Sequence, residues 1–136
     1  MKLVLSITRE VRDEIIAHAR GAAPRECCGI LAGKSSRITR IFKLTNVEAD
    51  PDRYWMDPKE QVRTFEEIDR SGLRLLGIYH SHPHSPPYPS VLDIARAFYP
   101  TAAFFIVTLL DREKPELRAF HIVRKKVKEK GFRVVT

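Results

Sequence analysis

No stretch of this chain approaches the roughly 20 consecutive apolar residues that a membrane-spanning helix requires. The opening MKLVLSITREVRDE holds an apolar run too short for a secretory leader and passes into charges without a small-residue cleavage site. A cytoplasmic protein without membrane contact is therefore expected. Cysteine is nearly absent: Cys27 and Cys28 are adjacent, and a disulfide between neighbours closes no useful loop. They read as two small residues on an inner strand, one of them facing the core, and not as a metal pair. Internal repeats and low-complexity linkers are missing too, as is the interleaving of basic and aromatic residues that stacks nucleic-acid bases.

What remains is an ordinary globular composition, 43% hydrophobic and 30% charged in 136 residues. It fits one domain spanning residues 1–136, with one active site. The formal charge of +7 suits an acidic protein partner or nucleic acid, and charge alone does not choose between them. The densest basic run, RKKVKEK from Arg124 to Lys130, reads as a solvated hairpin tip.

Along the chain, Lys2 to Ile7 reads as a strand and Thr8 as the cap of a helix to about Arg20, with Val11, Ile15 and Ala19 on one face and Gly21 as its stop. CCGILAG is a buried strand with Glu26 at its mouth, and Arg37 to Val47 is a second strand. After a polar loop from Glu48 to Tyr54, Asp57 caps a helix with Pro58 in its first position. Glu60 is expected to complete a capping box there, with Val62, Phe65 and Ile68 on the buried face and Ser71 and Gly72 as the end. Leu73 to Tyr79 delivers the chain to His80, and Pro83 to Pro89 excludes helix or central strand. Ser90 then opens a helix to about Tyr99, stopped by Pro100; Ala103–Leu110 and Leu117–Val123 are strands, and Phe132–Val135 an edge strand. Strands and helices alternate before a β-rich tail, so an α/β domain with a mixed sheet is expected.

The chemistry lies in HSHPHSPPYPSVLD, His80 to Asp93. In extended chain, side chains two residues apart share a face, so His80 and His82 converge while Ser81 points away. The proline loop turns the chain back into a helix whose first turn carries Asp93, a third ligand. Two histidines and a carboxylate with an open fourth position is a common catalytic zinc arrangement, whereas structural zinc takes four ligands rich in cysteine. Hydrolysis also needs a base near the metal's water. Of the ten glutamates, Glu26 alone abuts an apolar strand, where burial can raise its pKa. Ser90 is explained as a helix cap, since Ser followed three residues later by Asp is a capping-box pattern, and also as a donor to the oxyanion of a tetrahedral intermediate. His84 lies in the proline loop, where even spacing no longer implies a common face; His18 and His121 read as structural.

These residues resemble the JAMM, or MPN+, zinc metalloprotease family (Mpr1/Pad1 N-terminal domain), in its compact prokaryotic form. That family's signature is an upstream glutamate, then H-[ST]-H-P, then Ser-x-x-Asp. PRECCGILAG around Glu26, YWMDP at Tyr54 to Pro58 and GIYHSHP leading into the motif carry the likeness. It implies a cytidine-deaminase-like JAMM/MPN fold with a mixed, mostly antiparallel sheet flanked by helices. It also implies one Zn2+ on His80, His82 and Asp93, Glu26 as general base and acid, and Ser90 as oxyanion donor. The implied reaction is hydrolysis of the peptide or isopeptide bond after the C-terminal Gly-Gly of a ubiquitin-like or sulfur-carrier protein, whose tail is the expected partner. Three rivals are weighed against it. A DNA-repair-linked relative would bind nucleic acid, but typically shows HNHPSG where this chain has His84 and Ser85 after Pro83. A non-catalytic MPN scaffold would lack ligands. A zinc deaminase would carry P-C-x-x-C, which is absent here.

Overall fold

The computed structural model describes residues 4–136. Lys2 and Leu3, placed by the sequence in the first strand, lie outside the described residues. The elements run β1 (Ser6–Thr8), α1 (Arg9–Ala22), β2 (Cys28–Lys34), β3 (Arg37–Leu44), α2 (Pro58–Arg70), β4 (Arg74–His82), α3 (Val91–Ala95), β5 (Ala103–Thr108), β6 (Glu116–Val123), β7 (Lys126–Lys130) and β8 (Arg133–Val135). The strands form one sheet in the order β7-β6-β5-β4-β2-β3-β1-β8. The β1–β3, β1–β8 and β4–β5 neighbours are parallel and the other four pairs antiparallel, the mixed and mostly antiparallel sheet expected.

Strand alternation divides the interior between two faces. On one, Val11, Ile15 and Ala19 of α1 pack on Leu31, Tyr79, Phe105 and Val107. On the other, Cys28, Ile30, Ile78 and Ile106 lie with Met56 and with Ile68 of α2. Cys27 and Cys28 are both buried, one on each face, whereas the sequence reading put only one in the core. Central placement makes β2, β4 and β5 nearly continuous runs of buried residues, so both faces of β4 are fixed by packing.

Several local expectations need correction. Helix α1 runs through Gly21 to Ala22, its Thr8 cap accepting from the Val11 amide. Asp57 does cap α2, accepting from the Lys59 and Glu60 amides, but Glu60 completes no capping box. Its carboxylate reaches across to the Thr45 amide (2.6 Å) and hydroxyl (2.8 Å), tying α2 to the end of β3. Val62 is exposed; Thr64 and Ile68 are the buried residues of that helix. Helix α3 ends at Ala95, a turn before the expected Tyr99, with Arg96 as its C-cap; beyond it the Tyr99 hydroxyl donates to Gln61 on α2. The basic run is mostly strand β7: only Arg124 and Lys125, both at positive φ, form the hairpin tip.

Candidate metal centre

Strand β4 extends past Tyr79 to His82, so His80 and His82 stand on one face of an edge-protected central strand, almost fully buried. Parallel pairing with β5 holds that end: Leu109 donates its amide to the His82 carbonyl (3.2 Å), and the Thr108 hydroxyl binds the Ser85 carbonyl (2.6 Å), pinning the start of the proline loop. The loop then delivers Ser90, which caps α3 in a reciprocal box. Its hydroxyl oxygen accepts from the Asp93 amide (3.0 Å), while its own amide donates to Asp93 Oδ2 (2.9 Å).

Three side chains meet as a result. His80 Nε2 and His82 Nε2 are 3.1 Å apart, and each lies 3.0 Å from the same Asp93 Oδ2. His82 Nδ1 is 2.8 Å from the Pro86 carbonyl, which can only accept, so Nδ1 carries the proton and Nε2 presents a lone pair to the cluster. Burial works against ionising Asp93, but His80, His82 and the Ser90 amide outweigh it and hold the carboxyl well below its usual range. Burial lowers the pKa of His80; at His82 it is overcome by Asp93 and the Pro86 carbonyl, which raise it. Two imidazole nitrogens and an ionised carboxylate aimed at one another from inside the protein suit a shared cation, and nitrogen with oxygen donors suits zinc.

Glu26 approaches from β2. Cys28 pairs with His80, so Glu26, two residues earlier in extended chain, projects on the side of His80 and His82. It is 6% exposed and its Oε1 has no protein partner. Burial, aided by Asp93, Asp52 and Asp50, pushes its pKa up to about 9. Glu26 lies outside the three-residue cluster itself. His84 and His121 do too, and His18 Nδ1 instead meets the Tyr79 hydroxyl (2.7 Å) on the opposite face.

Three residues around this centre were given no role by the sequence reading. Ser81, between the histidines, is fully buried; its hydroxyl accepts from the Cys27 amide (2.8 Å) and its amide donates to the Cys27 carbonyl (3.1 Å), locking Glu26's strand to β4. Asn46 donates to the Glu26 and Arg53 carbonyls (3.0 and 2.9 Å) and accepts from the Glu48 and Trp55 amides (2.9 and 3.1 Å). Tyr54 stacks on the His80 ring, with centroids 4.4 Å apart. The sequence reading touched Ser81 only as pointing away from the histidines and Tyr54 only within the YWMDP likeness, because each acts through partners distant in sequence.

Comparisons with known proteins bear on the family and the fold. The family model for prokaryotic homologs of the JAB domain matches residues 8–123. The chain is 43% identical over 109 residues to a desampylase of Haloferax volcanii, covering 75% of this chain and 78% of that protein. It is 36% identical over 134 residues to the CysO-cysteine peptidase of Mycobacterium tuberculosis, covering 97% and 92%. A solution structure of a Desulfitobacterium hafniense protein superposes with a TM-score of 0.87 at 33% identity, over 97% of this chain and 94% of that one. Solved JAB1/MPN domains share the fold. With a family match across most of its length and relatives that are peptidases, this chain belongs to the prokaryotic branch of the JAB (JAMM/MPN) metalloprotease family.

Proposed function

We propose that residues 1–136 form one catalytic domain, working in the cytoplasm, which hydrolyses the bond after the C-terminal Gly-Gly of a ubiquitin-like or sulfur-carrier protein. His80, His82 and Asp93 hold one zinc ion, Glu26 is the general base and acid, and Ser90 donates to the oxyanion. The observation that carries the reading is the convergence of two histidine nitrogens on one oxygen of Asp93, at 3.0 Å each, beside a buried and unpartnered Glu26 carboxyl. The substrate class follows the names of the relatives, a desampylase and a peptidase of CysO-cysteine. A chain of net charge +7 suits an acidic carrier. No helix among the described residues is long and apolar enough to cross a membrane.

Zinc, when bound, lowers the pKa of water toward about 7 and polarises the scissile carbonyl. The residues supply the rest. Glu26 has the raised proton affinity to take a proton from the attacking water and return it to the leaving nitrogen. Burial, more than the field of Asp93, keeps that proton affinity high. The Ser90 oxygen accepts from the Asp93 amide, so its hydroxyl hydrogen stays free for the oxyanion, and the capping and catalytic roles are compatible.

The test is a Gly-Gly-terminated carrier fused to a single residue, to a peptide, or to a lysine side chain, incubated with zinc-loaded protein and followed by mass spectrometry. Cleavage after Gly-Gly is expected. Glu26→Gln should retain stoichiometric zinc and lose roughly a thousandfold in kcat. Full turnover by Glu26→Gln, or by metal-free protein, would sink the mechanism.

A further inference from the structure

The two histidines of the cluster are held in different ways. His82 is oriented through its second nitrogen, which donates to the Pro86 carbonyl. His80 has no such bond: its Nδ1 is buried without a protein partner. A metal-binding histidine is ordinarily oriented by a hydrogen bond from its free nitrogen, and loss of that bond lets the ring rotate about χ2. Something else must keep the His80 ring in place.

Tyr54 lies flat against it. The two rings are 4.4 Å apart at an interplanar angle of 22°, a stacked pair that blocks rotation of the imidazole out of its plane. Tyr54 sits in the loop between β3 and α2, where a half-buried aromatic would swing freely unless its backbone were tied, and it is tied on both sides. Asn46 binds the Arg53 carbonyl before it and the Trp55 amide after it, while its other contacts reach the Glu26 carbonyl and the Glu48 amide. Arg96, three residues beyond Asp93, donates to the Tyr54 carbonyl (3.2 Å) and to Glu48 (3.2 Å), and its guanidinium lies over the Trp55 ring. The loop that carries Tyr54 is thus bound to the strand entry bearing Glu26 and to the segment bearing Asp93.

We infer that Tyr54 is the positioning residue for His80, its ring doing by stacking what the Pro86 carbonyl does for His82 by hydrogen bonding, with Asn46 and Arg96 as its anchors. The inference rests on the reading of His80 as a zinc ligand. The aromatic ring, not the hydroxyl, is the working part.

Zinc affinity measured by chelator competition, together with the visible spectrum of the cobalt-substituted protein, tests this. Tyr54→Phe should bind zinc within about twofold of the unsubstituted protein and keep its cobalt spectrum. Tyr54→Leu should weaken zinc about tenfold or more and alter the cobalt bands, while the metal-free melting curve stays close to the unsubstituted one. An unchanged affinity and spectrum in Tyr54→Leu would overturn the inference, as would a Tyr54→Phe loss as large as that of leucine. A readout free of any substitution is the imidazole NMR spectrum of the metal-free protein, where the ring current of Tyr54 should displace the His80 signals and leave those of His82; the absence of that displacement also overturns the inference. If the unsubstituted chain takes up no stoichiometric zinc, the proposed function fails instead, so the two failures are distinguishable.

Discussion

The two faces of strand β4 carry the same kinds of side chain to opposite ends. Toward α1, the Tyr79 hydroxyl meets His18, the Ser81 hydroxyl meets the Cys27 amide, and apolar residues fill the rest. Toward α3, His80 and His82 crowd one carboxylate oxygen, and the two buried side-chain atoms without partners among the described residues, His80 Nδ1 and Glu26 Oε1, are both found there. Buried polar groups normally find partners, and those left without one mark function. One face of the strand is closed by its own bonds, and the other gathers two histidines and a carboxylate that could hold a metal ion, with two buried polar atoms beside them left unpartnered.

Breaking the open face should cost activity and little stability. His82→Ala is expected to abolish stoichiometric zinc binding and carrier cleavage together, while the metal-free protein still melts cooperatively; metal analysis beside calorimetry checks this, and tight zinc binding by that variant would remove His82 from the site. Ser90→Ala comes next. Loss of an oxyanion donor should lower kcat about a hundredfold with zinc retained, against about 1 kcal/mol for the lost cap; a variant that loses the cap energy but keeps kcat would leave Ser90 a structural residue alone.

Breaking the closed face should do the reverse. Ser81→Ala strips the buried Cys27 amide of its partner, at a cost of about 2 kcal/mol in denaturant unfolding, with kcat of the folded fraction largely kept. A large fall in kcat without destabilisation would mean that the two faces are not separable in this way.

The smallest effect concerns pH. The folded-state pKa of Glu26, raised to about 9, lies above the ordinary value of 4.5, so metal-free folded protein binds the extra proton between those limits. Its contribution to stability is fully present below about pH 4.5 and is lost as pH rises toward 9. Glu26→Gln should therefore raise the metal-free melting temperature at pH 8 by a few degrees and leave it nearly unchanged at pH 5. Equal shifts at both pH values would show that Glu26 is not held protonated. Asp93 has the opposite sign: its pKa is depressed, so its contribution is present above about pH 4 and declines in acid.

The elements with local causes were legible in the sequence. Thr8 and Asp57 cap the helices they were expected to cap, and the apolar runs of β2 and β5 are the buried strands they resembled. The errors differ in origin. Glu60 prefers Thr45 to its own helix end, α3 stops a turn before Tyr99, and most of the basic run pairs with β6 as a strand. At Glu60 a distant partner outweighs a local preference of a few tenths of a kcal/mol to about one, whereas the basic run pairs within its own hairpin, with partners 3 to 11 residues away.

The same division holds for the centre. The two-residue spacing of His80 and His82 determines that they share a face of any extended strand, and Ser90 with Asp93 three residues on determines a capped helix start; these follow from the geometry of one chain segment. Only the folded sheet decided that Cys28 pairs with His80 and so brings Glu26 alongside, that Ser81 and Asn46 lock that approach, and that Tyr54 lies against His80. Those relations join residues 20 to 54 positions apart, and nothing in local spacing encodes them; they exist because burying both faces of the sheet admits one register of β2 on β4.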